Sequence, residues 1–527
     1  MKFVMESGPE VHSGSGAERQ NKQTMGLREL IEGVEKVGTG GGATDDANPN
    51  IMSVACDSRQ VTPGALFFAL PGQKADGNKF VSDAILRGAI AIASPEPRST
   101  EIKPGIAWVE LVPGTERRAL AIAAANFYRH PANALKLVGV TGTNGKTTTT
   151  FLVDSILHAA GFITGRIGTT GYETPRGSRK AVNTTPESLD LQQMFAEVRD
   201  AGGTHAVLEV SSHALAMERV WGCRFAAAIF TNLTRDHLNF HKTFEEYFAA
   251  KRRLFEGMGA GAPDVAVVNA DDPYSPRLAG LAKRTLTYGL NENAELTTKS
   301  FSLRFDGIEF TAQTPAGKIE VRSSLVGRIN VYNILSAIGA AIALEIPRAK
   351  IEQGIANLEL VPGRFQQIDE GQPFLVVVDY AHADDAIRNL ITTARELNPS
   401  GRIITLFGAG GERDRSTRPL MGEAAGALSD LVILTDDNPR KEDPLLIMND
   451  VVVGLQKVNA KYRIEPDREV ALEMAIDEAQ PGDIVLLAGK GHENYQILRD
   501  RTFEFDDREK ARAILRRKGY SKQSAKT

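Results

Sequence analysis

The stretch Gly139-Val-Thr-Gly-Thr-Asn-Gly-Lys-Thr-Thr-Thr-Thr150 decides the fold of this chain. It follows an apolar run at residues 135–140, which predicts a short buried strand. It precedes residues 151–160, where apolar residues recur at helical spacing. A strand, a glycine-rich turn and a helix wrap backbone N–H groups around a polyphosphate. The stretch therefore predicts a nucleoside triphosphate site, in which Lys146 reaches the β- and γ-phosphates and the Thr147 hydroxyl ligates Mg²⁺.

The phosphate loop departs from the generic pattern at one position. Val140 stands where the pattern G-x-x-x-x-G-K-[ST] has its first glycine, which leaves a T-G-T-N-G-K-T variant. This variant indicates one particular branch of phosphate-loop proteins. A chance glycine-rich turn is the alternative, and the strand and helix patterns that flank the loop argue strongly against it.

The composition excludes several classes of protein. A chain of 527 residues is too long for a single hydrophobic core, so about three domains are expected. The net charge of −4 lacks the basic footprint of a nucleic-acid binder. The cysteines, Cys56 and Cys223, form neither a disulfide framework nor a metal-ligand cluster. No apolar run approaches the roughly 18 residues of a membrane span, and no signal peptide is evident, so a cytoplasmic protein without membrane insertion is expected.

Alternating strand and helix patterns predict an α/β chain with several domains. A central domain with the phosphate loop and a mostly parallel sheet follows a small α/β domain and precedes a Rossmann-like domain. The predicted bounds of a flexible N-terminal extension, the small domain, the central domain and the C-terminal domain are 1–25, 26–131, 132–362 and 363–527. Met25 is an alternative start of the chain.

Several ionisable side chains of the central domain are candidates for a metal site. Glu209 interrupts the buried-strand pattern of residues 206–210, and a buried carboxylate is costly unless it is paired or bound to a metal. We interpret Glu209 as a Mg²⁺ ligand, with a core ion pair as the alternative. His237 follows another predicted strand at its C-terminal end, where open α/β sheets place their ligands. Lys251 lies at helical spacing from Tyr247, Phe248, Leu254 and Phe255, which indicates a partly enclosed side chain, although spacing alone predicts an ordinary lysine that reaches solvent.

The C-terminal domain repeats a strand followed by a polar loop. Its four predicted strands cover residues 374–378, 402–407, 431–434 and 484–487. The loops that follow them cover residues 379–382, 408–415, 435–440 and 488–493. Because loops at the carboxyl ends of parallel strands converge on one crevice, we expect a second nucleotide-binding fold without its own phosphate loop. Its crevice is expected to face the ATP site.

Four motifs together resemble the Mur ligase family, and the resemblance covers nearly the whole chain. They are the T-G-T-N-G-K-T loop, Asn232-Leu-Thr-Arg-Asp-His-Leu238, Tyr247-Phe-Ala-Ala-Lys251 and Val378-Asp-Tyr-Ala-His382. Members of this family join an amino acid to a growing UDP-linked peptide and use ATP as co-substrate. The resemblance implies a three-domain α/β fold, in which the small first domain binds the uridine end of the substrate.

Three further stretches resemble the branch of the family that adds meso-diaminopimelate to a UDP-linked muramoyl dipeptide. They are Cys56-Asp-Ser-Arg59, Asn183-Thr-Thr-Pro186 and the tetrad Asp437-Asn-Pro-Arg440, which is the most specific of them. Relatives that add L-lysine lack the arginine. Diaminopimelate differs from lysine by a distal carboxylate, and Arg440 offers a rigid fork for bidentate pairing with that group. An arginine left unpaired discriminates strongly against the shorter amino acid.

The resemblance implies a binding role for each matching residue. The ATP contacts are Gly142, Thr143, Asn144, Gly145, Lys146, Thr147, Thr148, Asn333, Arg364 and Asp379. The contacts to the UDP-linked muramoyl dipeptide are Cys56, Ser58, Gln73, Lys74, Ala75, Asn183, Thr184, Thr185, Ser211, Met217 and Arg219. The diaminopimelate contacts are Arg413, Asp437, Asn438, Pro439, Arg440, Gly489 and Glu493.

The resemblance also implies the catalytic groups and the metal. The catalytic residues are Lys146, Glu209, His237 and Lys251, and the Mg²⁺ ligands are Thr147, Glu209, His237 and Lys251. The family's lysine at the position of Lys251 is carbamylated, which turns a cation into a carboxylate-like ligand. A monomer is expected.

The chain departs from the family at two places. Met217 stands where related enzymes often carry glutamine, which puts a polar contact there in doubt. His382-Ala-Asp-Asp385 replaces the usual His-Thr-Pro-Asp, a change that affects the turn rather than the chemistry.

Other functions stay open at this point. One is the same ligase with L-lysine as the added amino acid, and another is an amide ligase similar to folylpolyglutamate synthetase. The latter proteins lack both a uridine-binding first domain and the tetrad. A phosphate-loop switch or motor is a more distant alternative, and it leaves the four charged C-terminal loops unexplained. For the polar loop at residues 73–77, a solvated hairpin is the alternative to a ligand contact.

Overall fold

The computed structural model describes residues 24–40, 48–72 and 76–521, and it divides into two units, Met1–Ala119 and Leu120–Thr527. The expected extension lies almost wholly outside the described residues, as do Gln73, Lys74 and Ala75. The domain bounds at residues 131 and 362 stay predictions. No helix within the described ranges is long and apolar enough to cross a membrane.

The first unit contains a five-stranded sheet and a separate two-stranded sheet. The strands of the two sheets are β1 (Met25–Gly26), β2 (Lys36–Gly40), β3 (Asn50–Ile51), β4 (Ser53–Ala55), β5 (Ala65–Phe68), β6 (Ala89–Ser94) and β7 (Ala107–Leu111). Its helices are α1 (Leu27–Leu30), α2 (Val81–Leu86) and the first part of α3 (Glu116–Phe127). The sheet order is β2-β7-β6-β5-β4, with only β2 antiparallel, and β1 pairs with β3.

An eight-stranded sheet begins the second unit. Its strands are β8 (Lys136–Thr141), β9 (Thr164–Gly168), β10 (Gly171–Thr174), β11 (Gly177–Arg179), β12 (His205–Glu209), β13 (Phe225–Phe230), β14 (Val265–Asn269) and β15 (Arg284–Tyr288). The helices between them are α4 (Lys146–Ala159), α5 (Ser188–Asp200), α6 (Ser212–Ala216), α7 (Leu238–His241) and α8 (Phe244–Glu256). The order is β11-β10-β9-β12-β8-β13-β14-β15, parallel from β9 to β15.

The phosphate-loop strand lies in the middle of this sheet. Leu137 and Val138 of β8 belong to hydrophobic clusters on opposite faces, so both faces are covered, as expected for a parallel sheet. The helix after the loop begins at Lys146, before the apolar periodicity starts at residue 151. The four threonines Thr147–Thr150 are buried in its first turns, although β-branched residues have a low helix propensity. Packing therefore outweighs propensity here.

A three-stranded antiparallel sheet and two helices follow. They are β16 (Phe301–Arg304), β17 (Gly307–Thr314), β18 (Gly317–Ser323), α9 (Arg328–Ala343) and α10 (Arg348–Asn357). The apolar residues of α9 pack in the same hydrophobic cluster as Val138 and Leu152. This packing brings the start of α9 close to the phosphate loop.

A six-stranded sheet forms the rest of the second unit. Its strands, with a separate hairpin, are β19 (Gln366–Ile368), β20 (Leu375–Asp379), β21 (Ile403–Phe407), β22 (Leu431–Leu434), β23 (Tyr462–Ile464), β24 (Ile484–Ala488), β25 (Tyr495–Leu498) and β26 (Arg501–Glu504). Its helices are α11 (Asp384–Leu397), α12 (Arg418–Leu428), α13 (Pro444–Lys457), α14 (Arg468–Glu478) and α15 (Asp507–Arg517). The order is β19-β20-β24-β21-β22-β23, parallel except at β19, and β25 pairs with β26.

The predicted fold class is confirmed. The four strands predicted in the C-terminal region correspond to β20, β21, β22 and β24, which are adjacent and parallel in the order β20-β24-β21-β22. The loops after them consequently lie along one edge of the sheet. A buried ion pair between Arg468 of α14 and Asp507 of α15, 2.7 Å apart, fixes this edge. Arg468 also donates to the carbonyl oxygens of Asp436 and Ala488, which lie in two of the loops.

Candidate active site

The phosphate loop has a conformation that only glycine adopts easily at two positions. Gly142 and Gly145 have φ values of +147° and +87°. A Cβ atom at Gly142 would collide with the Thr231 hydroxyl, and one at Gly145 with the Asn333 side chain. Thr231 also donates to the carbonyl oxygen of Asn144 at 2.6 Å. Thr231, which follows β13, and Asn333 of α9 therefore pack against the loop from two sides.

Lys146 and Lys251 approach the loop from different elements. Lys146 Nζ donates to the carbonyl oxygens of Gly142, at 3.0 Å, and Thr143, at 2.8 Å. Lys251 Nζ, on α8, donates to the same Gly142 oxygen at 2.8 Å. Lys251 is only 1% exposed, so it does not reach solvent as its helical spacing predicts. The aromatic neighbours on α8 indicate a partly enclosed side chain, and the structure buries it further, with Nζ 4.4 Å from the centre of the Tyr247 ring.

Burial gives Lys251 an unusual ionisation. Removal from water lowers the pKa of its amine well below the usual value, and the nearby Lys146 lowers it further. Burial also lowers the pKa of Lys146, which Glu209 and Asp236 partly oppose. A buried lysine beside a second cation favours the neutral amine. Lys251 therefore has the properties of a nucleophilic amine.

Glu209 lies at the end of β12 with its carboxylate facing the phosphate loop. It is 1% exposed, and its Oε1 accepts hydrogen bonds from the Thr147 hydroxyl and the Thr169 amide, both at 2.9 Å. Its Oε2 accepts from the Thr169 hydroxyl at 3.1 Å. These partners are neutral, unlike those of a core ion pair. A carboxylate beside a threonine hydroxyl provides the oxygen ligands that Mg²⁺ prefers, with its other positions left for water and phosphate.

His237 lies at the start of α7 in a cluster of aromatic side chains. Its φ is +56°, and burial lowers its pKa to about 3, against the opposing effect of Asp236. The ring of His213 lies 4.8 Å from that of His237 and 5.6 Å from that of His241. His237 is consequently a neutral imidazole at pH 7, the form that can ligate a metal. Within the described residues, no three His, Cys, Asp or Glu side chains are grouped to hold an ion without further ligands.

The C-terminal part of the second unit reaches the phosphate loop directly. Arg364 Nη2 donates to the Thr147 hydroxyl at 3.1 Å, and Asp385 Oδ2 accepts from Nδ2 of the Asn144 side chain at 2.8 Å. Asp379 accepts from the backbone N–H groups of Phe365, at 2.7 Å, and Ala381, at 2.8 Å. Arg364 therefore contacts the start of the helix after the loop, Asp379 holds the backbone next to Arg364, and Asp385, after the unusual turn, contacts the loop itself.

Asn333 and Thr148 complete the predicted ATP set. Asn333 is 4% exposed on α9, and its amide donates to Asn330 Oδ1 at 2.8 Å. Its own Oδ1 lies next to Gly145. Thr148 is buried in the first turn of α4. Asn333 of α9 and Arg364 of the C-terminal part thus both lie next to residues of the phosphate loop and its helix.

The predicted muramoyl-peptide contacts of the second unit continue from Glu209. Thr185 Oγ1 donates to the Glu209 carbonyl at 2.8 Å and accepts from the Ser211 amide at 3.1 Å. Arg219 donates to the Thr185 carbonyl at 2.8 Å and pairs with Glu187 at 2.8 Å. Three further predicted contacts belong to the same group. The Thr184 hydroxyl accepts a hydrogen bond from the Thr169 hydroxyl, and the Asn183 carbonyl accepts one from the Tyr172 hydroxyl. The Met217 sulfur accepts one from Arg219. A polar surface therefore leads away from the phosphate loop.

The tetrad Asp437–Arg440 forms a second polar group at the edge of the C-terminal sheet. Asn438 donates to Glu493 Oε2 at 2.9 Å, and Arg440 Nη1 donates to the Gly411 carbonyl at 2.7 Å. A Cβ atom at Gly410 would contact Arg440, Arg413 and Asp437, so the small glycine leaves room between these side chains. Asp437 is 8% exposed, and its Oδ1 has no hydrogen-bond partner. The Lys490 ammonium group lies 3.5 Å from this oxygen without a hydrogen bond to it, so the acceptor remains available to a donor from a ligand.

The remaining tetrad residue and Gly489 lie at the same place. The Pro439 carbonyl oxygen packs against Gly411, and Gly489, with a φ of +111°, lies beside Asp437.

Two predicted contacts to the UDP-linked substrate lie in the first unit. Ser58 is buried and Cys56 is half-buried, next to an Asp57–Arg59 ion pair of 2.6 Å.

Sequence reasoning missed several residues that hold these groups in place. Thr169 binds both oxygens of Glu209, Asp385 binds the phosphate loop, and Lys490 contacts the tetrad. His213 could have been found from its place three residues after the predicted strand at residues 206–210. The other three depend on contacts between distant segments, which no local pattern reveals.

The chain matches three descriptions of Mur ligase domains. They are the Mur ligase family catalytic domain at residues 50–128, the middle domain at 140–341 and the glutamate ligase domain at 363–491. A UDP-N-acetylmuramoyl-L-alanyl-D-glutamate--2,6-diaminopimelate ligase of Solibacter usitatus is 53% identical over 91% of this chain and 96% of its own length. One from Geobacillus thermodenitrificans is 44% identical over 89% of this chain and 96% of its own length. A solved structure of a ligase with that name matches with a TM-score of 0.64 and 31% identity, over 94% of this chain and all of the other.

Proposed function

The chain belongs to the Mur ligase family, and on that basis we propose that it joins meso-diaminopimelate to UDP-N-acetylmuramoyl-L-alanyl-D-glutamate. It is an ATP-dependent ligase that forms a C–N bond. The observation that carries the choice of amino acid is the placement of Arg440, Arg413 and Asp437 around one opening, with Glu493 nearby. Two cations and two carboxylates match an amino acid with two carboxylates and two ammonium groups.

The proposed reaction has two steps. The side-chain carboxylate of the D-glutamyl residue attacks the γ-phosphorus of ATP, which forms an acyl phosphate and releases ADP. The neutral amine of diaminopimelate then attacks the acyl carbon, loses a proton and expels phosphate from the tetrahedral intermediate. Lys146 stabilises the charge of the transferring phosphoryl group, and the loop amides hold the other phosphates. No nucleophilic side chain is needed, since positioning and electrostatics supply most of the acceleration.

This route predicts the fate of one oxygen atom. If the D-glutamyl carboxylate is labelled with ¹⁸O, one labelled oxygen must leave with the inorganic phosphate, because the acyl phosphate breaks at its C–O bond. We expect one ¹⁸O atom per phosphate, measured by mass spectrometry, with an unlabelled dipeptide as the control. Phosphate without label would exclude the acyl phosphate and leave the proposed mechanism without support.

Mg²⁺ would be held by the Thr147 hydroxyl and Glu209, with His237 and a modified Lys251 at a second position. The fit rests on the buried Glu209 carboxylate, which is hydrogen-bonded to hydroxyl and amide groups rather than to a cation. When bound, Mg²⁺ supplies positive charge to the phosphate oxygens. An unmodified lysine does not suit the second position, because an ammonium group has no lone pair to donate.

We expect Lys251 to be carbamylated for a physical reason. Its pKa is lowered by burial and by Lys146, so the amine is available to attack CO₂. A new N–C bond then forms, the nitrogen loses a proton, and the product is an anionic carbamate. This anion would balance the positive charge of the adjacent Lys146 and supply oxygen ligands. Hydrogen bonding to the Gly142 carbonyl fits an N–H group in either state.

The modification is testable without an activity assay. Protein equilibrated with ¹³C-bicarbonate is expected to show one carbamate carbon resonance that disappears in Lys251→Gln. Lys242→Gln is the matched control, because Lys242 precedes the same helix but is exposed and donates to the Asn239 carbonyl. A spectrum without the resonance, or one that Lys251→Gln leaves unchanged, would show that Lys251 remains an amine.

The alternatives make different predictions. An L-lysine ligase would not need the charge of Arg440, and a folylpolyglutamate synthetase would not need the first unit, which matches a Mur ligase description and is covered by the relatives. We further propose a cytoplasmic monomer, since ATP and a UDP-linked substrate are cytoplasmic metabolites. Size-exclusion chromatography with light scattering checks the monomer, and a dimer mass would contradict it.

A further inference from the structure

Lys490 is a fully buried lysine at the end of β24. Its exposed fraction is 0%, although lysine is almost never fully buried unless it is paired. The proposed phosphate and amine transfers assign it no role. Burying an ammonium group costs several kcal/mol unless the protein provides compensating contacts. The contacts of Lys490 therefore indicate what the residue does.

The ammonium group of Lys490 connects two segments of the C-terminal sheet edge. It donates to the Tyr495 carbonyl at 2.8 Å and to Asn438 Oδ1 at 3.4 Å, and it lies 3.5 Å from Asp437 Oδ1. Tyr495 begins β25, whereas Asp437 and Asn438 belong to the tetrad. These hydrogen bonds use two of the three donors of the ammonium group, and Asp437 contributes the charge of a nearby carboxylate rather than a hydrogen bond. Lys490 thus joins the tetrad to the β25–β26 hairpin.

The hairpin in turn holds the backbone of Arg440. The Arg440 amide donates to the Ile497 carbonyl at 3.1 Å, and the Arg499 amide donates to the Arg440 carbonyl at 2.5 Å. The Ile497 amide also donates to Asn438 Oδ1 at 2.9 Å. Arg440 has a φ of +53°, a left-handed conformation that a non-glycine residue keeps only when its surroundings impose it. The position of the guanidinium group consequently depends on the hairpin.

The hairpin is a weak support when considered by itself. It has two strands, and every residue of β26 is exposed. Isolated two-stranded hairpins are at best marginally stable in water, so this one must be fixed by its contacts with the rest of the protein. The bond from Lys490 to the Tyr495 carbonyl is one such contact, and it comes from the rigid end of a central strand. Burial lowers the pKa of Lys490, and Asp437 acts in the opposite direction.

We propose that Lys490 is a positioning residue of the amino-acid site. It fixes Asp437 and Asn438 against β25, and through the hairpin it sets the backbone that presents Arg440. Because it acts through these residues, its removal should impair recognition of the incoming amino acid and leave ATP binding unchanged. The inference rests on the proposed function, since it assumes that the tetrad binds this amino acid.

The test compares Lys490→Met with wild-type enzyme. Methionine has a similar length and no hydrogen-bond donor. The hydrogen bonds to Tyr495 and the tetrad are therefore lost, while the volume of the side chain is nearly kept. We expect KM for diaminopimelate to rise by about 10- to 100-fold, the scale known for residues that hydrogen-bond to metal ligands and orient them. KM for ATP should change less than about twofold. Hydrogen exchange should become faster at residues 437–440 and 495–499.

A second lysine provides a matched control. Lys510 Nζ lies 5.7 Å from the centre of the Phe505 ring, and Lys490 Nζ lies 6.0 Å from the same ring. Lys510 pairs with Glu469, far from the tetrad in sequence, so Lys510→Met should leave both KM values and the exchange pattern unchanged. If Lys490→Met does not fold, Lys490→Gln, which keeps one donor group, is measured in the same way.

The outcomes separate this inference from the proposed function. An unchanged KM for diaminopimelate overturns the positioning role, as does an equal loss for ATP and diaminopimelate. If wild-type enzyme releases no ADP with diaminopimelate, the proposed function fails instead. Hydrogen exchange then decides the role of Lys490 alone. Faster exchange at the hairpin and tetrad in Lys490→Met supports the link that Lys490 makes between them, and unchanged exchange overturns it.

Discussion

Lys146→Ala is expected to reduce ligase activity by about 10²- to 10³-fold, the scale seen when one group that stabilises transition-state charge is removed. Lys146 is the cation of the phosphate loop, and its Nζ lies over the loop carbonyls of Gly142 and Thr143. The loss should appear mainly in kcat, because the loop amides still bind the phosphates. Phosphate release measured with saturating substrates checks this expectation.

The fold should survive this change. The variant loses two hydrogen bonds of about 1 kcal/mol each and avoids the cost of burying an ammonium group. Lys136→Ala is the matched control, since Lys136 lies on β8, which leads into the loop, but is exposed. A Lys146→Ala enzyme with more than about a tenth of wild-type kcat would contradict the assigned role.

Arg440→Ala should change the choice of amino acid rather than the use of ATP. Charge-assisted hydrogen bonds contribute about 1.5–3 kcal/mol, so a lost bidentate contact should lower kcat/KM for diaminopimelate by about 10²- to 10³-fold. KM for ATP should remain within about twofold, because Arg440 contacts the Gly411 and Asn438 carbonyl oxygens rather than the phosphate loop. Steady-state kinetics with each substrate varied in turn measures both effects.

Lys441→Ala is the control for Arg440→Ala. The two residues are adjacent, both are cationic, and Lys441 is exposed outside the tetrad. We expect this variant to use diaminopimelate as well as wild-type enzyme does. A similar loss from both variants would indicate a general effect of charge, and an equal loss for ATP and diaminopimelate in Arg440→Ala would refute the specificity argument.

The sequence predicts those parts of the site that depend on neighbouring residues. The turn at Gly142 and Gly145 follows from a local pattern, and both glycines have the positive φ that such a loop requires. The strand at Phe225–Phe230 and the parallel strands after residue 363 follow from apolar runs. Each of these features is fixed by steric rules that operate over a few residues, so a single sequence reveals them.

The features that sequence reasoning missed depend on tertiary packing. Lys251 has the spacing of a surface lysine, yet it is buried because α8 packs beneath the phosphate loop. Thr169 and Lys490 act on Glu209 and the tetrad across large sequence separations. No periodicity encodes such contacts, and charge alone does not distinguish a buried cation from an exposed one. The roles of these residues follow from the distances between their side chains and the groups they contact in the folded chain.

We propose that this ligase activates a D-glutamyl carboxylate with ATP and chooses diaminopimelate as the amine. The most direct measurement offers wild-type enzyme ATP, Mg²⁺, UDP-N-acetylmuramoyl-L-alanyl-D-glutamate and equal concentrations of meso-diaminopimelate and L-lysine, and identifies the products by mass. We predict a diaminopimelate product in at least about 10²-fold excess, because lysine leaves the Arg440 fork unpaired. A lysine product in equal or greater amount, or no product with either amino acid, would contradict the account.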